Sequence, residues 1–366
     1  MEERKKRKIL LVTHTMNYGG QGKMFTYLAN AIDEAGYDTY VYSQESTTHF
    51  YPLNPSITYI PEKIQFKNYY TRRFKQIKQM RELIDRVSPD LVIAFITNQS
   101  ALAVLGTRHN HIPVIMSCRG DPYEYTNIVE KMKIFVINHA EGGVFQSREA
   151  LKCYGKELQK RSRVIMNPCT VPEVKRIPWK ERDNEIAFVG RFQIVHKRHD
   201  LMLKAFSIIH KTLRDYKLIL YGDGNDRGAI CDLIKKYKLE NSVVMKGIVK
   251  NIPQAISRAK LFVLASDFEG LPNALIEAMA VGLPVISTDW SPGAVHELIN
   301  NGENGVIIPC NNSDIIAQKA IEILSNPQKA DRIGKAAEKI RQQLSPDIIY
   351  KQWTDYIEEV IGRNEH

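Results

Sequence analysis

The sequence predicts an α/β protein made of two doubly wound halves, and three observations carry that prediction. Short runs rich in Val, Ile and Leu alternate with longer helical patterns along nearly the whole chain. Continuous apolar strands separated by amphipathic helices belong to parallel sheets buried on both faces. The runs fall into two series, and 366 residues is long for one domain. The first series is KILLVTH, DTYVYS, DLVIAF, PVIMS, GGVFQS and SRVIMN; the second is EIAFVGR, KLILYG, VVMKG, LFVLAS, PVIST and GVIIP.

Between the series lies NPCTVPEVKRIPWKERDNE, Asn167 to Glu185, with three prolines, many charges and no periodicity, which reads as a linker. The expected domains are therefore residues 1–170 and 171–345. The tail SPDIIYKQWTDYIEEVIG reads as a helix with Ser345 or Asp347 near its cap and Ile348, Trp353, Ile357 and Val360 apolar. No short-period repeat or low-complexity tract interrupts the pattern.

Composition narrows the class. At 43% hydrophobic and 25% charged residues the chain has enough apolar content for two packed cores. Its five cysteines (Cys118, Cys153, Cys169, Cys231, Cys310) are scattered and form no CxxC pair. Neither a disulfide framework nor a zinc site is expected, and a reducing cytoplasm fits. The apolar run in MEERKKRKILLV is too short for a signal-peptide core, and no stretch has the length of a membrane-spanning helix.

The formal net charge of +10 points to anionic partners. The segment Lys63–Arg86 holds eight Lys or Arg against only Glu82 and Asp85. From about Thr71 it reads as a helix, with Phe74, Ile77, Ile84 and Val87 as a core-facing stripe and Lys75, Lys78 and Arg81 on another face. That basic face serves either as a solubilising surface or as a foot on an anionic membrane, where each basic residue adds about 1 kcal/mol. Nucleic acid is not expected as a partner, because no recognition helix, zinc finger or RNA-binding aromatic strand motif is present.

In open parallel sheets, ligands bind beyond the carboxyl ends of the strands, so chemistry is expected in the strand-to-helix loops. Five such loops stand out. In THTMNYGGQGKMF, Gly19, Gly20 and Gly22 precede a helix expected from about Gln21; a tight turn and a phosphate or sugar loop both satisfy them. In VGRFQIVHKRHD, Gly190 and Arg191 end a strand and Lys197 follows six residues later, before a helix capped near Asp200. An Arg fork and a Lys point charge in one loop can straddle a diphosphate. His196 and His199 have no matching metal-ligand partner.

In LYGDGNDR, Gly222 and Gly224 flank Asp223, as a turn or a nucleotide rest. In KGIVKNI, Gly247 ends a strand, and Ile248 and Val249 offer backbone groups to a base edge. In SDFEGLPNALIEAMAVGLPVIST, Glu269 sits on the loop, Pro272 and Asn273 open a helix, Glu277 lies about one turn in, and Gly282 with Pro284 stops it. The N–H groups of Asn273 to Leu275 would favour an anion.

The seven residues between Glu269 and Glu277, inside EGLPNALIEAMAVGLPVI, resemble the E-x7-E signature of glycosyltransferase family 4. The fragments GGQGKMF, GGVFQSREALKCYG, VIMNP, VGR…HK, LYGDGNDR and KGIVKNI stand in the same order as in that family. The resemblance spans nearly the whole chain and is densest from Arg163 to Pro309. It implies a GT-B architecture: two Rossmann-like domains facing across a cleft, the first binding the acceptor, the second the donor. It also implies that a C-terminal helix at about 346–366 returns to the first domain.

The activity so implied is retaining transfer of a hexose or N-acetylhexosamine from a nucleotide sugar, UDP-linked by family habit, with no metal or other cofactor. By position, Arg191 and Lys197 match the pair that binds the donor diphosphate. Glu277 matches the ribose-binding carboxylate, Glu269 the one that contacts the transferred sugar, and Gly20 the N-terminal glycine loop. The donor site implied in this way includes Gly190, Gly222, Gly224, Ile248, Val249, Gly270, Leu271, Asn273, Ala274 and Leu275.

One departure stands out. Where many members carry a His, this chain reads PVIMSCRGDPYEY, with Arg119 and Asp121. It resembles a subgroup common among bacterial surface-polysaccharide transferases, which implies a glycan or lipid-linked saccharide acceptor. Arg119 is then a substrate contact or the partner of Asp121 in an ion pair. The location implied is cytoplasmic, and peripheral on the inner face of the membrane if the basic segment docks there. The competing readings are another GT-B enzyme such as a sugar-nucleotide epimerase, for which no acid–base pair stands at matching positions, and a nucleotide-sugar-binding protein without turnover. A dehydrogenase is excluded for lack of a dinucleotide fingerprint.

Overall fold

The computed structural model describes residues 6–17, 19–45, 48–62, 69–124, 127–172 and 176–364. The chain divides into two compact units, Met1–Asn167 with Asp347–His366, and Pro168–Pro346.

The first unit contains β1 (Lys8–Thr13), α1 (Gly20–Glu34), β2 (Asp38–Ser43), β3 (Thr58–Pro61), α2 (Tyr69–Val87), β4 (Leu91–Phe95), α3 (Thr97–Thr107), β5 (Val114–Ser117), α4 (Ile128–Ile137), β6 (Gly142–Phe145), α5 (Arg148–Lys152), α6 (Lys156–Lys160) and β7 (Arg163–Val164). The strands form one parallel sheet in the order β3-β2-β1-β4-β5-β6-β7. Right-handed crossovers put α2 to α6 on one side of it. Met80, Leu83 and Ile84 of α2, Leu102 and Val104 of α3, Ile137 of α4 and Leu158 of α6 share one core there.

The second unit contains β8 (Asp183–Val189), α7 (Ile194–Lys197), α8 (His199–Thr212), β9 (Lys217–Tyr221), α9 (Arg227–Lys236), β10 (Val243–Gly247), α10 (Ile252–Ile256), β11 (Ala259–Leu264), α11 (Asn273–Ala280), β12 (Val285–Thr288), α12 (Val295–Leu298), β13 (Val306–Ile308), α13 (Ser313–Leu324), α14 (Pro327–Ala337) and α15 (Ile340–Gln343). Its parallel sheet runs β10-β9-β8-β11-β12-β13. Asn caps recur: the Asn312 side chain accepts from Ile315 N–H at 3.0 Å, and Asn326 from Lys329 N–H at 3.0 Å with Pro327 at the first helical position.

The last helix, α16 (Pro346–Asn364), packs in the first unit. Its Tyr356 hydroxyl accepts from Gly143 N–H at 2.9 Å and donates to the Arg161 carbonyl at 2.6 Å. A Cβ at Gly142 would stand 2.2 Å from that hydroxyl, so the double glycine opening β6 is the seat of this helix.

Several expectations need correction. β3 is a short edge strand absent from the expected series. Phe74 is 79% exposed, and the buried face of α2 is Gln76, Met80, Leu83, Ile84 and Val87 instead. Ile348 is exposed, while its neighbour Ile349 is buried.

The expected linker is partly core. Trp179 and Arg182 are buried, and the Arg182 guanidinium donates to the carbonyls of Ile177, Ser257, Ala259, Val281 and Gly282. Burial pushes its pKa down to about 10, so it stays charged at neutral pH. Part of the basic segment, 63–68, lies outside the described residues. No helix among the described residues is long and apolar enough to cross a membrane.

Candidate active site

Two strand-end loops of the second unit meet because β8 and β11 are neighbours in the sheet. After β8 the chain passes Gly190 and Arg191, buries Phe192, and makes the single helical turn α7 that ends on Lys197. Arg198 follows in the left-handed conformation, φ 54°, and α8 begins at His199. Asp200 is in the first turn and does not cap the helix. The Lys197 stem lies over Gly190, where a Cβ would stand 3.2 Å from Cγ and 3.3 Å from Cδ. Glycine there lets the stem lie against the backbone and aims the ammonium at the next loop. Arg191 is exposed.

That next loop follows β11 and carries Glu269, which is 9% exposed. Its Oε1 accepts from the Lys197 ammonium and from Ser266 Oγ at 2.7 Å. Oε2 has His196 Nε2 at 3.9 Å, beyond hydrogen-bond range. The loop is fixed from both sides. Glu269 N–H donates to the Ser291 carbonyl at 3.0 Å, and Thr288 Oγ1 donates to the Ser266 carbonyl at 2.5 Å.

On the other side His196 stacks on Phe268 with centroids 4.3 Å apart and donates through Nε2 to its carbonyl at 2.7 Å. Burial and the adjacent Lys197 push the His196 pKa down, so the ring is neutral at pH 7. Arg198 bonds Asp267 at 2.6 Å, Asp200 at 3.1 Å and the Asn311 side chain. These ties offset the left-handed backbone of Arg198 and clamp the Lys197 loop to the Glu269 loop.

Four residues past Glu269, α11 starts at Asn273 with Pro272 as its cap. Gly270, Asn273 and Ala274 are half-buried, while Leu271 and Leu275 face the core. Leu275 N–H donates to the Pro272 carbonyl at 3.1 Å, so the expectation that it points at an anion does not hold. Glu277 is half-exposed in the second turn.

Gly222 and Gly224 meet protein backbone. A Cβ at Gly222, where φ is 133°, would stand 2.0 Å from the Gly190 carbonyl oxygen, and one at Gly224 would stand 2.5 Å from that of Phe192. The LYGDGNDR loop therefore supports the Arg191–Lys197 loop directly from below. Gly247 has φ 71° and ends β10; Ile248 is 60% exposed and Val249 half-buried.

In the first unit, Gly20 is exposed and opens α1 at the end of β1. Arg119 lies at the end of β5. Its Nε donates to Ser117 Oγ at 2.9 Å and its NH1 to Asn167 Oδ1 at 2.7 Å. The guanidinium stacks 4.4 Å from the Phe95 ring centre and 5.8 Å from that of Trp353 on α16. The ion pair with Asp121, the alternative to a substrate contact, is not made. That carboxylate instead accepts from Tyr123 N–H at 2.9 Å. Burial lowers the Arg119 pKa to about 10.

Sequence reasoning singled out Arg191, Lys197, Glu269 and Glu277; the structure brings Lys197 and Glu269 together, and the residues that hold this pair, Ser266, Asp267, Phe268, Ser291 and Arg198, were not singled out. The available signal was the opposite charges of HKRHD and SDFE, each just past a strand end. Among the described residues no group of three His, Cys, Asp or Glu is placed to hold a metal ion.

Comparison with known proteins places this arrangement. The model of glycosyltransferase family 4 matches residues 18–171, and that of glycosyl transferases group 1 matches residues 172–340. The chain is 25% identical over 366 residues to an alpha-1,4-N-acetyl-D-galactosaminyltransferase of Campylobacter jejuni, covering 96% of this chain and 99% of that one. The name of that relative gives its acceptor as GalNAc-alpha-(1->4)-GalNAc-alpha-(1->3)-diNAcBac-PP-undecaprenol.

Among solved structures, the lipopolysaccharide outer core galactosyltransferase WaaB superposes with a TM-score of 0.79 at 16% identity, over 96% of this chain and 99% of that one. HepE of Anabaena, in complex with UDP and glucose, superposes with a TM-score of 0.78 at 16% identity, over 96% and 100%. The two domains have the GT-B fold. The chain belongs to glycosyltransferase family 4, and it is a glycosyltransferase.

Proposed function

We propose that the protein transfers a hexose or N-acetylhexosamine from a UDP-sugar to a lipid-linked saccharide or related glycan acceptor in surface-polysaccharide synthesis. In this reading the anomeric configuration is retained and no metal is required. The observation that carries the reading is the Lys197–Glu269 contact beside Gly190, with Arg191 on the same loop and the start of α11 four residues on.

The chemistry follows from the donors and acceptors available. An ammonium has three protons, and Glu269 takes one from Lys197, so the others can serve donor phosphate oxygens together with the Arg191 fork. Negative charge grows on the diphosphate as the sugar's C1–O bond breaks. Fixed cations and a helix N-terminus stabilise that charge without reorganising, which is commonly the largest catalytic contribution.

In this reading Glu269 Oε2 accepts from a sugar hydroxyl, and Glu277 from the ribose hydroxyls. Neither carboxylate has to carry a proton, so neither acts as general acid. Arg119, held by Ser117 and Asn167, serves in this reading as a substrate contact. The acceptor class rests on the relative named for a PP-undecaprenol-linked saccharide. Docking of the basic segment Lys63–Arg86 on an anionic membrane would bring the enzyme to such an acceptor.

The test is transfer from a panel of UDP-sugars to a lipid-linked saccharide in the presence of EDTA, with the product's anomeric coupling read by NMR. Transfer with retained configuration, undiminished by EDTA, is expected. An inverted product, or activity abolished by the chelator, would contradict the reading.

A further inference from the structure

An ordinary surface helix is apolar toward the core and polar outside. α4 is apolar on both sides: seven of the ten residues of IVEKMKIFVI are apolar. Ile137 is fully buried, and Ile134 and Val136 pack on the same core. Opposite them Ile128 (70% exposed), Met132 (63%) and Phe135 (68%) form a stripe at steps of four and three, flanked by Val129. Glu130 does not interrupt the stripe. It lies toward the inner side and accepts from the Lys133 ammonium at 2.6 Å, while Lys131 is exposed at the stripe's edge.

A second such feature lies on the same side of the sheet. α3 packs against both α2 and α4. The outer stripe of α2 is Phe74, Lys78 and Arg81, all exposed, with Lys75 beside it. The corrected position of Phe74 therefore places an aromatic ring amid cations.

We propose that this face is a membrane-docking surface, with Ile128, Met132 and Phe135 of α4 and Phe74 of α2 entering the interfacial layer of an anionic bilayer. The proposal rests on the reading above that the enzyme works at such a membrane, and it supplies the apolar anchor that basic residues alone do not. Charge selects the occupant. Lys131 borders the α4 stripe, and Lys75, Lys78 and Arg81 lie on the α2 face around Phe74. Of the acids near them, Glu130 is paired with Lys133, Asp85 with His109 at 2.7 Å, and Glu82 lies 3.7 Å from Lys78. A basic, apolar helix face fits headgroups over acyl chains. A second copy of the chain would bring the same positive rim against itself, and these few side chains fall well short of the roughly 20 residues a side of a stable interface.

The experiment is flotation of the full chain with vesicles of phosphatidylcholine containing phosphatidylglycerol, and with phosphatidylcholine alone. The α4 variant is Ile128→Ser with Met132→Ser and Phe135→Ser; the α2 variant is Lys75→Glu with Lys78→Glu and Arg81→Glu. Wild type is expected to float with the anionic vesicles. The α4 variant should partition at least tenfold less while its melting shift with UDP stays unchanged, and Phe74→Ser should lose part of the binding.

If the α2 variant detaches and the α4 variant binds like wild type, the anchor is refuted while the membrane reading stands. If wild type floats with neither vesicle, both fall. If wild type is a dimer that the α4 variant dissociates, the face is a self-interface and the proposal is overturned.

Discussion

Acid should loosen the second unit through one histidine. His199, the first residue of α8, is fully buried. Its ring stands edge-on to Phe188 at 4.9 Å and to Phe192 at 5.1 Å. Neither ring nitrogen meets a hydrogen-bond partner among the described residues. Burial, with a smaller contribution from Lys197, pushes its pKa to about 4, while Asp200 and Asp226 oppose the shift weakly.

The folded state therefore keeps this ring neutral, whereas the unfolded chain takes up a proton near the ordinary pKa of about 6.5. Unfolding binds a proton across that interval, so stability is complete above pH 6.5 and falls as pH drops toward 4. At pH 5 the loss works out at about 2 kcal/mol relative to neutral pH. For a unit of this size that is roughly 4–8 °C in Tm.

The assay is thermal melting of wild type and His199→Leu at pH 7.5 and pH 5.0, taking the difference of differences. Other titrating groups cancel, as does any pH-independent cost of the substitution. Wild type should lose those extra degrees at pH 5. Equal losses in the two proteins would refute the reasoning. Phe192 and Lys197 flank the candidate donor loop, so wild type should also lose more UDP affinity at pH 5 than the variant does.

Four further outcomes follow from the geometry. Lys197→Met should lower kcat/KM in sugar transfer roughly a hundred- to a thousandfold, as removal of a preorganised charge-stabilising donor does. Glu269→Gln keeps the shape but loses the charge beside the ammonium, and steady-state kinetics should place its loss mainly in kcat. Gly222→Ala sets a Cβ 2.0 Å from the Gly190 oxygen at a φ of 133° and should cost roughly 1–3 kcal/mol and weaken UDP binding; Gly228→Ala, with open space at its Cβ on α9, should leave calorimetric UDP affinity unchanged. Arg182→Leu removes the donor to five carbonyls and should destabilise by roughly 3–5 kcal/mol, read as a lower urea midpoint with an unchanged slope.

The buried strands were legible because each is a run of apolar residues covered on both faces. β3 was not, because TYIP is a short edge strand that ends in proline and is half-exposed. On α2 the helical period was right and the phase wrong at one end. Phe74 stands about 130° round the helix from the centre of the buried face, and its three-residue step to Ile77 disguised that.

The candidate site residues could be singled out in the sequence, but the contacts between them could not. Lys197 and Glu269 are far apart in sequence, and only the adjacency of β8 and β11 brings their loops together. Arg182 looked like part of a charged linker because nothing local signals five carbonyls converging from distant turns. Gly222 was singled out as a turn or a nucleotide rest; the close approach it permits is that of the Gly190 backbone.

The most direct test of the central claim is calorimetric titration of UDP into wild type, Lys197→Met, Glu277→Gln and the double variant Arg191→Ala with Lys197→Met, all in EDTA. The account predicts metal-independent binding to wild type, weaker binding to each single variant and the weakest to the double variant. Equal affinity across the four proteins, or none for wild type, would contradict the donor site assigned here.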